Sequence, residues 1–272
     1  MHTTMSLPEI SKHTYWLKSL HLRREVELEL FIPAGLPGNL PLSLLLLNDG
    51  QDAAALKVAD TLASLYGQHR IAATAIAAVK STGARLEEYG VAGIPDFAGR
   101  GSKAQAYSDF IIKELLPFLE KTIPQPLSGR RAIAGCSLGG LSAFDIAWNN
   151  ERFFEAAGIF SGSFWWRSKD LHEGYTDDDR IMHRRIKQTK GKPRLRFWLM
   201  TGTEDETADR NRNYIIDSID DTIDLIKELL DKGYRRREEI TYYEKVGGKH
   251  DLPTWAAVFP AFLAWAFPVV KS

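Results

Sequence analysis

The chain has 272 residues, 44% hydrophobic and 26% charged, with 35 basic against 35 acidic side chains. Zero net charge removes the bulk attraction that would draw it to nucleic acid or an anionic membrane, and one cysteine excludes an internal disulfide or a cysteine-based zinc site. No apolar run reaches the length of a membrane span, and Met1 to Pro33 lacks the apolar stretch of a signal peptide. The expectation is a soluble protein, cytoplasmic by default and exported only if a leader once preceded it, with no nucleic-acid or membrane partner. Oligomeric state is not readable from composition.

Tyr15 to Leu20 and Glu25 to Ile32 alternate as strands. Val26, Leu28, Leu30 and Ile32 share one face, and Glu25, Glu27 and Glu29 the other. This predicts an antiparallel hairpin with one wet face. Pro33 to Pro41 reads as a turn. Leu42 to Leu47 is a strand covered on both faces, and a helix is predicted from Ala53 to about Tyr66. Ile71 to Val79 is the next strand. Ser81 to Ser102 is a loop with glycines at 83, 90, 93, 99 and 101, of a length that often lines a site. An amphipathic helix follows over Lys103 to Lys121.

Further strands are predicted at Arg131 to Ala134, Phe154 to Phe160, Leu195 to Met200 and Glu239 to Glu244. Helices are predicted at Leu141 to Trp148, Asp179 to Lys187, Asp217 to Lys232 and Thr254 to Phe267. Strand–helix alternation from residue 42 onward predicts a mostly parallel sheet with helices on both faces and the antiparallel hairpin at its N-terminal side. One α/β domain over residues 1–272 is expected, with segments 81–102 and 162–193 as insertions or lids.

The segment Gly135-Cys136-Ser137-Leu138-Gly139 reads G-x-S-x-G, between an apolar strand and a helix-forming run. Glycines at 135 and 139 remove the Cβ atoms that would collide in a sharp strand-to-helix turn. Such a turn lifts the Ser137 hydroxyl clear of the sheet and points the first N–H groups of the helix at the reacting centre. Cys136 reads as a small apolar residue beneath that turn.

In open parallel sheets ligands sit at the carboxyl ends of strands. Ser137, Asp205 and His250 each follow a predicted strand, in the chain order Ser, Asp, His of α/β-hydrolases. A serine hydroxyl needs a base to be nucleophilic at neutral pH, and the base needs an anion to orient it. His250 is expected as base and Asp205 as its carboxylate, with Glu206 the first alternative and Glu204 and Asp209 close by. Two backbone N–H groups should hold the oxyanion. Leu138 is expected to supply one and Gln51 the other.

Leu47-Asn48-Asp49-Gly50-Gln51-Asp52, Arg85-Leu86-Glu87-Glu88-Tyr89, Gly135 to Gly140, Ser161-Gly162-Ser163-Phe164-Trp165-Trp166 and Gly247-Gly248-Lys249-His250 together resemble the putative esterase family. That family includes enterochelin esterases, esterase D and the mycolyltransferases. The resemblance runs over roughly residues 20 to 268. It implies an α/β-hydrolase fold and a serine esterase or acyltransferase, with Ser137, Asp205 and His250 as the triad and Leu138 and Gln51 as oxyanion donors.

Trp165, Trp166, Phe164 and Tyr89 are candidate walls of a substrate pocket, aromatic residues that favour ring-like or sugar-like esters; packing beneath the insertion is their other role. Arg85 and Glu88 are expected to pair and order the loop. Arg100 and Lys103 read as solvated loop charges, with contact to an anionic substrate as the alternative. Catalysis of this kind needs no cofactor. A candidate structural calcium loop spans Asp209 to Asp220, with oxygen donors at Asp209, Asn211, Asn213, Asp217 and Asp220 and the Ile215 carbonyl. The alternative is a polar loop ending in a helix cap at Asp217. The function expected is a serine carboxylic-ester hydrolase working through an acyl-enzyme on a small-molecule ester. The rivals are an acyltransferase and a catalytically silent binding protein on the same fold.

Overall fold

A computed structural model describes residues 7–269. The eight strands are β1 (Ile10–Ser19), β2 (Arg24–Pro33), β3 (Ser43–Asn48), β4 (Thr74–Val79), β5 (Arg131–Cys136), β6 (Ala156–Phe160), β7 (Arg196–Glu204) and β8 (Ile240–Lys249). They form one sheet in the order β1-β2-β4-β3-β5-β6-β7-β8. The β1–β2 and β2–β4 pairings are antiparallel, and every pairing from β4 to β8 is parallel. The helices are α1 (Val58–Gly67), α2 (Arg85–Glu88), α3 (Ala104–Phe110), α4 (Leu116–Thr122), α5 (Leu138–Asn149), α6 (Ile181–Gln188), α7 (Asp217–Asp231) and α8 (Leu252–Ala266). This is the mostly parallel sheet with an antiparallel N-terminal hairpin expected from the strand–helix alternation, and the α/β-hydrolase architecture that the resemblance implies.

β3, β4, and all of β5 but its first residue are buried along their length, as sheet interiors covered on both faces require. In β2, Val26, Leu28 and Leu30 are buried while the glutamates between them reach water. One apolar core lies on the α5 side of the sheet and a second on the side of α1 and α8.

Several boundaries differ from expectation. α1 begins at Val58 rather than Ala53, because Lys57 takes a left-handed conformation that no helix can pass through. The helix expected over Lys103 to Lys121 is interrupted by a π-turn at Ile111–Leu115. Pro117 explains it: proline lacks the N–H and its ring crowds the carbonyl four residues back, so a widened turn absorbs both. β8 runs to Lys249, so Gly247 and Gly248 belong to the strand rather than to a loop.

The two insertion segments pack on each other and on α5. Ser142 and Asp145 of α5 accept the Gly90 and Ala92 N–H groups at 2.8 and 2.9 Å. Arg185 of α6 reaches Asp145 at 2.7 Å and the Ala92 carbonyl at 3.0 Å. Trp166 lies where Cβ atoms on Gly90 and Gly101 would stand, at 2.7 and 2.8 Å. Glycine at those positions lets the indole close the floor beneath the loops.

Candidate active site

β3, β5, β6, β7 and β8 are parallel, so their carboxyl ends share one rim of the sheet. Along that rim stand Asn48 and Asp49, then Ser137, Ser161, Asp205 and His250. Asn48 ends its strand, and each of the others directly follows its own.

Ser137 takes φ 55° and ψ −123°, a strained backbone for a residue with a side chain, worth about 1–3 kcal/mol. Its N–H donates to the Phe160 carbonyl at 2.8 Å, which locks the turn to β6. A Cβ on Gly135 would fall on the Gly139 backbone, and one on Gly139 would lie 2.6 Å from Asp49 Oδ2. Only glycine admits the crossing. The first bond of α5 runs from Gly140 N–H to the Ser137 carbonyl at 3.0 Å. The Leu138 and Gly139 N–H groups therefore lie ahead of the helical ladder. In the turn after β3 the first bond runs from Asp52 N–H to the Asp49 carbonyl at 2.9 Å, which leaves the Gln51 N–H outside it.

Ser137 is half-buried, and its Oγ lies 3.4 Å from Ser163 Oγ. The Ser163 N–H donates to the Ser137 carbonyl at 3.2 Å. Asn48 links the β3 end to the same turn, donating to the Gly139 carbonyl at 2.8 Å and accepting from Tyr107 at 2.7 Å.

Of the three adjacent acids, Asp205 is the one turned inward. It is 8% exposed, and both carboxylate oxygens are buried without a well-formed hydrogen bond. The Ser161 hydroxyl, close by, accepts from Trp255 Nε1 at 2.9 Å and has its proton shared with Met200 Sδ at 3.9 Å. Burial raises the Asp205 pKa, while the Gly202 backbone, Ser161 and the His250 ring oppose it. Glu204 is exposed, paired in register with Lys249. Glu206 turns to the backbone of Ser218 at the start of α7.

His250 sits between the end of β8 and α8, whose N-cap is Asp251, accepting from Thr254 N–H at 2.9 Å. Its ring meets Trp255 edge to face, with centroids 5.1 Å apart. Part of the residue is open to solvent, yet the crowded ring is desolvated enough to hold its pKa below the ordinary imidazole value. Asp205 works against that shift, and the Arg85 charge adds to it.

A family model described as Putative esterase matches residues 19–266. This chain belongs to the putative esterase family. No curated protein matches it. Among solved structures, this family member is similar to the enterobactin esterase FES from Shigella flexneri, at 21% identity and TM-score 0.72, over 96% of this chain and 60% of that one. It is similar to a ferulic acid esterase at 17% identity and TM-score 0.71, over 96% and 98% of the two chains. It is similar to the siderophore hydrolase EstB from Aspergillus nidulans at 17% identity and TM-score 0.69, over 98% and 99%. The chain thus spans about three-fifths of the enterobactin esterase it matches. At these identities the likeness speaks for the fold.

For the aromatic candidates in this esterase-family chain, Phe164, Trp166 and Tyr89 are wholly buried. Phe164 packs edge to face on Phe144 of α5, Tyr89 lies tilted on Tyr107 of α3, and Trp166 packs against Gly90 and Gly101. Trp165 alone is partly exposed, with the Arg100 guanidinium 4.9 Å from its ring centre. The expected Arg85–Glu88 pair does not form. Arg85 forks onto Asp49 at 2.7 and 2.8 Å, and Glu88 takes Arg24 of β2 at 2.7 and 2.6 Å. Ser163, Ser161 and Trp255 had no role in the sequence reading. Only the S-G-S segment hinted at the serines, and nothing local marked the tryptophan.

In the segment read as a calcium loop, Asp209 accepts the Asn213 and Tyr214 N–H groups at 3.1 and 2.9 Å, and the Ile215 N–H donates to Asn213. Asn211 and Asn213 turn their amide nitrogens to Asp220 at 2.8 and 2.7 Å. Asp217 takes the Arg210 side chain at 3.1 Å and its N–H at 2.9 Å. The donor set fits a self-bonded loop closed by an arginine better than a cation cage. Among the described residues, no group of three or more His, Cys, Asp or Glu side chains could hold a metal ion. No helix among them is long and apolar enough to cross a membrane.

Proposed function

We propose that this chain is a serine carboxylesterase that works through Ser137, His250 and Asp205. The observation that carries the reading is the strained Ser137 turn, with its unpaired helix N–H groups, on the rim that also holds a buried, poorly bonded carboxylate acting on the His250 ring. Burying a carboxylate without partners is costly. A site that needs an anion to stabilise an imidazolium gives that cost a purpose.

In this mechanism His250 takes the Ser137 proton as Oγ attacks the ester carbonyl carbon. The carbonyl oxygen becomes an oxyanion held by the Leu138 and Gln51 N–H groups. The intermediate collapses, the carbon–oxygen bond to the leaving alcohol breaks, and the imidazolium protonates that alkoxide. Water, deprotonated by His250, then attacks the acyl-enzyme and frees the acid and the serine. Asp205 keeps the imidazole oriented and its cation stabilised throughout. No cofactor takes part in these steps.

His250 is exposed, so water has direct access to the base that the hydrolytic step needs. The relatives' names and the partly exposed Trp165 ring favour small esters with an aromatic acyl group as substrates. Incubation with a fluorophosphonate tests the reading directly. One adduct on Ser137, absent in Ser137→Ala, is expected together with p-nitrophenyl ester turnover. A well-folded protein that neither labels nor turns over any p-nitrophenyl, feruloyl or sugar-acetate ester would favour a silent binding protein.

A further inference from the structure

The Asp49-Gly50-Gln51 turn brings a negative charge to the place where the proposed mechanism develops another. Asp49 is buried and in the left-handed conformation at φ 57°. Its carboxylate abuts the nucleophile turn, as the 2.6 Å approach of a Cβ on Gly139 shows. A bare carboxylate there would repel the oxyanion. Arg85, from the one-turn helix α2, meets it with two parallel bonds, Nε to Oδ1 at 2.7 Å and Nη2 to Oδ2 at 2.8 Å. Around that fork the turn is braced on each side. Ser81 Oγ donates to Asp49 Oδ1 at 2.9 Å, and Gln51 Nε2 to the same oxygen at 3.2 Å. The Ser81 N–H donates to Gln51 Oε1 at 3.0 Å, and the Asp49 N–H to the Tyr89 hydroxyl at 3.1 Å. The Arg85 guanidinium also lies 5.2 Å from the Tyr89 ring centre, so it is gripped from two directions.

We propose that Arg85 is a positioning residue of the esterase reaction: its fork on Asp49 cancels the carboxylate beside the oxyanion and holds the turn that aims the Gln51 N–H. This rests on the function proposed above. The fork geometry matters because a guanidinium fixes both carboxylate oxygens at once, while an ammonium is a single point of charge. Arg85 acts through Asp49 and Gln51 and touches no reacting atom.

Steady-state kinetics on a p-nitrophenyl ester test it, with Arg85→Gln, Arg85→Lys, Asp49→Asn and the Arg85→Gln/Asp49→Asn double variant. Arg85→Gln is expected to lower kcat about a hundredfold, the scale of one oxyanion donor, with KM within about twofold. Arg85→Lys should recover part of the loss, because it restores the charge without the fork. The double variant should be faster than Arg85→Gln alone, because the uncompensated carboxylate is gone. Melting curves and fluorophosphonate labelling of each variant confirm that Ser137 remains in a folded site. Unchanged kcat in folded Arg85→Gln overturns the proposal, as does a loss confined to KM or a double variant slower than the single one. If the wild-type protein itself neither labels nor hydrolyses, the functional reading has failed instead.

Discussion

Ser137 Oγ and Ser163 Oγ lie 3.4 Å apart, at the long end of hydrogen-bonding distance. The Ser163 hydroxyl is thus a weak resting partner for the proposed nucleophile, too distant to compete strongly for its proton. Ser163→Ala should lower kcat/KM by roughly fivefold, the worth of a neutral hydrogen bond near 1 kcal/mol, while leaving KM little changed. Initial rates on a p-nitrophenyl ester read this. A loss of a thousandfold would mean that Ser163 itself takes part in the chemistry.

Asp205 predicts opposite effects on activity and stability. Asparagine keeps the shape and removes the buried charge. Asp205→Asn should cut kcat by about three to four orders of magnitude, because the imidazole loses its anion and its tautomer. The same change should raise the melting temperature by ~2–4 °C, corresponding to about 1 kcal/mol of relieved desolvation. Calorimetry beside kinetics checks both, and a strongly lowered melting temperature would show that the carboxylate has a structural partner in solution.

Gly135→Ala places a methyl group on the Gly139 backbone, where no side chain can move aside. The turn must then open, and Ser137 with it. Expected are a stability loss of about 3 kcal/mol or more, in the range of overpacked cores, and loss of fluorophosphonate labelling. Urea unfolding measures the first and intact-mass analysis the second. A variant of normal stability with full labelling would contradict the packing.

His183 is buried in α6, with Nε2 2.8 Å from the Asp221 carbonyl and Arg180, Arg210 and Asp224 around it. Burial, helped by Arg180, pushes its pKa down to about 3. In the unfolded chain it titrates near 6.5. Between those values only the unfolded state takes the proton, so stability is complete above about pH 6.5 and falls as pH drops toward 3. One proton contributes a slope of at most about 1.4 kcal/mol per pH unit. Urea unfolding from pH 7 to 4 should show a shallower acid loss in His183→Gln than in the wild type, and parallel curves would refute the assignment. Activity reports His250 instead. Its lowered pKa keeps the neutral base available below the ordinary imidazole midpoint, so the acidic limb of kcat/KM should lie on the acid side of about 6.5.

The loop from Asp209 to Asp220 is closed by its own amides and by Arg210 on Asp217. Calcium added to EDTA-treated protein should leave the melting temperature unchanged. A rise that saturates with calcium would show that Arg210 and the two asparagine amides give way to a cation.

The strained turn at Ser137 was legible in the sequence because everything that shapes it is local. A strand, two glycines and a helix start within a few residues dictate the Ser137 turn. The alternation of apolar runs likewise determined the parallel sheet and so the rim on which strand-end residues gather. The partners of those residues were decided only by tertiary structure. Glu88 lies three residues from Arg85 and invites a local pair, yet Arg24 reaches it from β2 and releases Arg85 to Asp49. Three consecutive acids end β7 with equal local claims. The turn that follows β7, where the Asp205 N–H folds back onto the Gly202 carbonyl at 3.3 Å, leaves Asp205 buried while Glu204 stays exposed. Beside it the pairing with β8 jumps by two residues between Gly202 and Glu204, and composition carries no trace of such a bulge. The aromatic residues after Ser161 are equally mute in sequence. Whether an indole lines a cleft or seals a floor depends on the glycines it meets from another loop, as Trp166 meets Gly90 and Gly101.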